Sequence, residues 1–234
     1  MRKLVSAIVM LLAFLNVPAQ DRQNEASIDS MIAIYNSQRG TALPIFNGRQ
    51  FIGYSHLIQG FPYFLSSEWQ PGSAMYEGTW FHNLSLMYDA YQDQVIVRSP
   101  NGFPYILISE RLQEFKLGKE HFIRIDEESA ARVKPAFYHR LTDGKVMVLG
   151  KRIKKMEERI DGSEVDRKFF SADKFFIFKD EKLEPILKQR DLLESLKDKR
   201  QEVQSLIKKE DLRFKSNPEL TIIKAVEFYN QSTK

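Results

Sequence analysis

From Gly72 to Arg98 apolar and polar residues alternate with a period of two, the spacing that sends successive side chains to opposite faces of a pleated strand. Trp80, Leu84, Leu86 and Tyr88 share one parity and Thr79, Asn83 and Ser85 the other, which predicts one greasy face and one wet face. Phe81 and Met87 interrupt the alternation. Glu77-Gly78 before the run and Asp89 to Asp93 after it are turn-like, and the β-branched stretch Gln94 to Val97 can pair back antiparallel. The pattern predicts a three-stranded meander with one buried face.

Strand-like segments continue from Ala42 to Ile186. Turn dipeptides at Asn47-Gly48, Asn101-Gly102, Asp143-Gly144 and Asp161-Gly162 separate stretches rich in Val, Ile, Phe and Tyr. They place strands near 50–54, 61–65, 73–77, 79–88, 94–98, 103–108, 113–117, 121–125, 134–141, 145–154, 165–170, 174–178 and 183–186. So many short antiparallel segments imply a curled sheet, a barrel or a sandwich.

After Ile186 the period changes to 3.6. Leu192, Leu193, Leu196, Val203, Leu206 and Ile207 form one apolar stripe. Asn217-Pro218, an N-cap followed by a proline at the first helical position, opens a second helix carrying Leu220, Ile223, Val226 and Tyr229. A short amphipathic helix is also expected over 24–39, with Ile28, Met31, Ile32 and Tyr35 at helical spacing and Gly40 to end it. The fold class is therefore α+β, mainly antiparallel β, with about 10–13 short strands, an N-terminal helix and two C-terminal helices. The expected organisation is a leader over 1–19, a β domain over 20–187 and a helical pair over 188–234 packed on it.

The leader changes the reading of charge and compartment. Arg2 and Lys3, the apolar run Leu4 to Val17 and the small-residue site Val17-Pro18-Ala19 have the form of a secretory signal cleaved near Ala19. The apolar run, about 14 residues, is shorter than the roughly 20 needed to span a bilayer as a helix. Export to the periplasm or beyond is the expectation, with no transmembrane segment after cleavage. Two of the 35 basic residues lie in that leader, so the remainder carries a net charge of +2. The 20–144 part holds 11 basic and 14 acidic residues and the 145–234 part 22 and 17, a split too mild for a nucleic-acid binder. With no cysteine, the chain has neither disulfides nor thiolate chemistry and depends on a packed core.

Catalytic signatures are missing. His56, His82, His121 and His139 lie at no metal-ligand spacing, and the chain has no nucleophile elbow, phosphate loop or dinucleotide fingerprint. Asp89 and Asp93, or Glu127 and Glu128, fall in turn-like stretches where acids are common. No catalytic residue, metal site or cofactor is assigned. Two features could serve binding. Aromatic residues crowd between Phe61 and Tyr91, and Tyr63, Trp69, Tyr76 and Trp80 are the candidates for stacking on a ligand, against the alternative that they fill the core. Lys151, Arg152, Lys154 and Lys155 form the densest basic run, either a solvated strand end or a contact for a partner or anionic headgroups.

The order of segments, LPIFNGRQFIGYSHLIQGFPYF (43–64), the YEG-W segment at 76–80, LMYDAYQDQVIV (86–97), FYHRLTDGKVMVLGKRIKK (137–155) and the terminal LLESLKDKRQEVQSLIKKEDLRFKSNPELTIIKAVEFYN (192–230), resembles a family of exported proteins of Bacteroidota whose function is uncharacterised. The resemblance implies an envelope location and carries over no catalytic residue. The expected function is a non-enzymatic binding or scaffolding protein of the envelope, whose partner is a protein, a lipid or a glycan. Two alternatives are a carrier holding an apolar ligand such as a lipid within a half-barrel, and a hydrolase of envelope glycans.

Overall fold

Eleven of the period-two segments join into one antiparallel sheet. In chain order the strands are β1 Arg49–Gln50, β2 Gln70–Tyr76, β3 Thr79–Asp89, β4 Gln94–Arg98, β5 Pro104–Ile106, β6 Leu112–Leu117, β7 Glu120–Ile125, β8 Ala136–Arg140, β9 Met147–Lys151, β10 Lys154–Asp161, β11 Glu164–Ser171, β12 Lys174–Lys179 and β13 Lys182–Pro185. The large sheet runs β1-β5-β4-β3-β2-β6-β7-β8-β9-β12-β13, and β10 pairs only with β11. This computed structural model describes residues 43–126, 135–161 and 164–232, and the chain from Pro44 onward is one compact unit. The expected leader and N-terminal helix lie outside the described residues.

The sheet is open, with β1 and β13 as its edges, so among the three expected architectures the curled sheet is the one found. It curls far enough to bring the end of β3 back to the end of β9. Lys151 Nζ approaches the Tyr88 hydroxyl at 3.5 Å, and the Lys154 N–H donates to the Ala90 carbonyl at 3.1 Å. Aromatic rings fill the space enclosed by this curl. Phe115 stacks on Phe122 at 4.7 Å between centroids, and Tyr88 and Phe137 lie 5.4 and 5.3 Å from Phe115. All four are buried, and such offset and edge-on ring pairs add to the area they bury.

A bulge in β3 explains the interruption at Phe81, whereas Met87 and its partner Ile96 are buried on the opposite face, so that here both faces of the expected meander are covered. Gly72 pairs with Leu84 and Ala74 with Phe81, so His82 and Asn83 stand opposite the single Ser73. Asn83 takes up the extra residue with a φ of 54°. The insertion reverses parity, so Phe81 joins Leu84, Leu86 and Tyr88 on the buried face. Trp80, which parity alone places with them, turns to the opposite face and stays partly exposed.

Three helices close the chain: α1 Gln189–Ser195, α2 Arg200–Lys209 and α3 Pro218–Ser232. The first of the two expected helices is thus broken in the middle, at a 3₁₀ turn over Lys197–Lys199. Side chains pin that turn: the Tyr229 hydroxyl donates to Asp198 at 2.7 Å, and Lys179 Nζ donates to the Ser195 carbonyl at 3.4 Å. Leu196 sits at the break with no exposed surface, and it shares one core with Val203, Ile207, Ile222 and Val226 of the helices and Val146, Val148 and Ile177 of the sheet. Among the described residues no helix is long and apolar enough to cross a membrane.

Because strands and helices share that core, damage to the helices should reach the sheet. An unpaired carboxylate in such a site costs several kcal/mol, against a total stability of about 5–15 kcal/mol. The double variant Leu196→Asp, Val226→Asp should therefore lose the near-ultraviolet circular dichroism of Tyr88, Tyr138 and their neighbours at 25 °C. An unchanged spectrum would make the helices an independent appendage.

Candidate functional site

A cluster of charged groups gathers in the interior where β9 gives way to β10. The β9–β12 pair and the β10–β11 pair are successive parts of one long hairpin, interrupted at Arg152-Ile153 on one strand and Ala172-Asp173 on the other. The sequence pattern predicts a single strand over 145–154, but the ladder breaks there and the hairpin leaves the sheet. Two hydrogen bonds hold the bend: the Ile153 N–H donates to Asp173 Oδ1 at 3.0 Å, and the Ala172 N–H donates to the Ile153 carbonyl at 2.8 Å.

Arg152 turns inward at this bend and is 7% exposed. Its Nη1 donates to Asp173 Oδ2 and Glu219 Oε2, both at 2.8 Å, and its Nη2 to Glu219 Oε1 at 2.8 Å. Its Nε and Nη2 also face His139 Nδ1 at 3.2 and 3.0 Å. The guanidinium lies over the Phe64 and Phe175 rings, 5.5 and 5.9 Å from their centres. Burial works against the charge, but the Glu219 and Asp173 carboxylates more than offset it and hold the pKa above the ordinary arginine value. The bidentate bond from Arg152 holds Glu219 below the usual carboxylate range.

His139 is fixed by the same contacts. An arginine N–H can only donate, so Nδ1 must accept, and the proton of the neutral ring sits on Nε2, which reaches Glu120 Oε2 at 2.8 Å. Burial and the neighbouring Arg152 charge push its pKa down to about 4, with Glu219 pulling the other way. A cleft of about 500 Å³ opens beside this chain of groups, bordered by Phe64, Leu65, Glu120, Lys154 and Ser171. Both imidazole nitrogens and both Glu219 oxygens are engaged within the cluster, which ties β7, β8, the two bends and α3 together.

The basic run of 151–155 is therefore split by the bend. Lys151 turns inward, where its Nζ meets Asp93 at 2.6 Å and the Phe137 carbonyl at 3.1 Å; burial lowers its pKa against the pull of Asp93. Arg152 is committed as described. Lys154 is half-buried with its Nζ 4.9 Å from the centre of the Phe61 ring, and Lys155 is exposed.

The four candidate aromatics have different surroundings. Tyr76 is buried, 1% exposed. Trp80 stacks on His82 at 5.9 Å with Lys116 Nζ 5.3 Å from its ring centre, and Trp69 lies under the Arg98 guanidinium at 5.8 Å. Tyr63 belongs to a half-buried group with Phe51 and Tyr54 at 6.4 and 6.3 Å. The strand register puts Met75 opposite Trp80 and Tyr76 opposite Thr79, so Tyr76 and Trp80 point to opposite faces.

Sequence reasoning missed two buried groups. His139 reads as an isolated strand histidine, and its partners come from β7 and the β9–β10 bend, where Arg152 in turn holds Asp173 of the β11–β12 bend and Glu219 in the first turn of α3. Asp89 reads as a turn acid, yet it is 1% exposed and accepts bonds from the Tyr54 hydroxyl and from the Tyr91 and Gln92 N–H groups at 3.0 and 2.9 Å. Burial raises its pKa against the pull of those bonds. Among the described residues no group of three or more His, Asp or Glu side chains is placed to hold a metal ion. No family model, curated protein or solved structure matches the chain.

Arg152→Ala leaves two carboxylates and His139 without their common partner and should cost about 2–4 kcal/mol in urea unfolding. The same change removes a cation beside His139, so its pKa, followed by NMR, should rise from about 4. A stability loss below about 1 kcal/mol would show the cluster to be ornamental. In the unaltered protein the native ring binds fewer protons than the unfolded one between about 6.5 and about 4. The stability from neutral His139 is therefore fully present above that window and drains as the pH falls through it. His139→Gln should flatten that part of the stability profile.

Proposed function

We propose that this protein is an exported, non-enzymatic binding or scaffolding protein of the cell envelope, and that it holds an extended segment of a partner protein along the β10–β11 arm. The observation that carries the proposal is the arm itself. Its two eight-residue strands pair over their full length outside the main sheet. Met156, Ile160, Val165 and Phe170 project from it exposed, at 38, 68, 46 and 41%. The two edges of the arm differ: the Gln59 N–H donates to the Arg167 carbonyl and the Phe169 N–H to the Gln59 carbonyl, both at 2.9 Å, so a neighbouring segment lies against β11. Among the described residues no strand lies along the other side of β10. An open edge of that length, with Met156 and Ile160 exposed on one face of the edge strand, suits addition of a strand from another chain.

The arm is held firmly at its base. Phe169 is buried against Tyr54 and Tyr91, at 5.7 and 5.3 Å, and the Arg152 cluster fixes the bend. A rigid, protruding and partly apolar hairpin costs little to order on binding. The ring-filled interior of the curl and the engaged nitrogens of His139 favour this reading over a lipid carried inside the sheet or a glycan hydrolase. The leader and the resemblance described above support the envelope assignment.

Met156→Glu with Ile160→Glu should leave thermal stability within about 0.5 kcal/mol, since both side chains are exposed. Affinity capture from a Bacteroidota envelope extract with the unaltered chain should recover a reproducible protein partner, and the double variant should lose it. Recovery of the same partner by the variant would remove the arm from the interface. Absence of any partner, together with turnover of an envelope substrate by the purified chain, would remove the binding role.

A further inference from the structure

On the side of the Arg152 bend that faces the helices, a second depression of about 530 Å³ lies between the start of β12, the loop after β13 and the segment leading into α3. It has two chemically distinct parts. Its floor is apolar, made by Phe175, Ile186 and Phe214, with the side chain of Leu187, 70% exposed, standing at its margin. Its rim carries three exposed lysines, Lys174, Lys188 and Lys215, each from a different segment. The lining contains one acid, Asp173, and both of its oxygens are taken, by Arg152 and by the Ile153 N–H. Asp191, close in sequence to Lys188, accepts the Leu187 and Lys188 N–H groups at 3.1 and 2.9 Å. Among the described residues none of the three lysines takes part in a salt bridge.

We infer that this groove binds a single-chain anionic amphiphile, with its hydrocarbon chain on the Phe175–Ile186–Phe214 floor and its acidic head among Lys174, Lys188 and Lys215. The site is separate from the β10–β11 arm and does not rely on the arm's role. The occupant follows from two complementarities. Apolar surface left open beside buried Phe175 and Ile186 gains by covering with hydrocarbon, and three cations without an anionic partner among the described residues select a negative head over a neutral or positive one. The volume lies in the range of pockets that take small organic ligands. Lysine, a compact and flexible point charge, suits a mobile carboxylate or phosphate head, since no fixed fork geometry is required.

Calorimetric titration of the purified chain with laurate below its micelle concentration tests the inference. Laurate should bind once per chain, dodecanol at least about tenfold more weakly, and inorganic phosphate not measurably; a tenfold change corresponds to about 1.4 kcal/mol. The triple variant Lys174→Gln, Lys188→Gln, Lys215→Gln, altered only at exposed positions, should keep its melting temperature and bind laurate at least about tenfold more weakly. Leu187→Glu should weaken binding similarly by placing a negative charge at the margin. Equal affinity for laurate and dodecanol, or unchanged laurate binding in the triple variant, would overturn the inference. Binding to vesicles of anionic phospholipid without any binding of dispersed laurate would overturn it as well, since the surface would then be a membrane contact. Failure of the arm variants to lose a protein partner would leave this result untouched.

Discussion

A guanidinium almost without water must find acceptors for its donors, and Arg152 finds them on elements that share little sequence neighbourhood. Asp173 belongs to the bend through which the arm returns, Glu219 to the first turn of α3, and His139 to β8, where it is backed by Glu120 of β7. Each partner is useless to the arginine unless its element sits in one place. Desolvating the charge makes the cluster costly if any member is missing, so it acts as a geometric constraint more than as a source of stability. Two consequences follow for shape: the long hairpin must bend at 152–153 and 172–173, and the start of α3 must dock against the sheet beside that bend.

Both surfaces proposed for binding flank this constraint. The arm begins two residues after Arg152, and the lysine-rimmed groove begins with Asp173 and Lys174. Neither needs the interior of the curl, where Tyr88, Phe115, Phe122 and Phe137 are packed ring against ring. The aromatic richness of the chain is in this way spent mainly on cohesion, with Tyr54, Tyr91 and Phe169 extending it to the base of the arm.

The period-two pattern and the turn dipeptides make most strands between β2 and β13 legible, because alternation and glycine-bearing turns are local properties of the chain; β10 is missed, since the expected strand stops at Lys154, where β10 begins. The segment 61–65 was an exception: it is apolar enough for a strand but makes only a single bridge, Tyr63 to Asp89. Trp80 was misplaced because one inserted residue at Asn83 flips every parity before it, and nothing in the alternation announces a bulge. Lys151 to Lys155 looked like one basic patch because adjacency along the chain hides a bend that sends two of its cations inward. The Arg152 cluster has only faint marks in the sequence: a second cation, after Lys151, at the end of the apolar run Val146 to Gly150, and an acid directly after Asn217-Pro218. Its other members lie 13 to 67 residues from Arg152, and only the folded sheet brings them together.

Native-state amide hydrogen exchange measures most directly whether Arg152 makes the helical cap and the curled sheet one cooperative body. The central amides of α3 and of β2, β3 and β6 should exchange with the same opening free energy in the unaltered chain. Glu219→Gln, which removes the bidentate carboxylate but keeps the helix-forming backbone, should separate them, with α3 exchanging first. Helix α3 already exchanging well ahead of the strands in the unaltered chain, or no separation in the variant, would contradict the account.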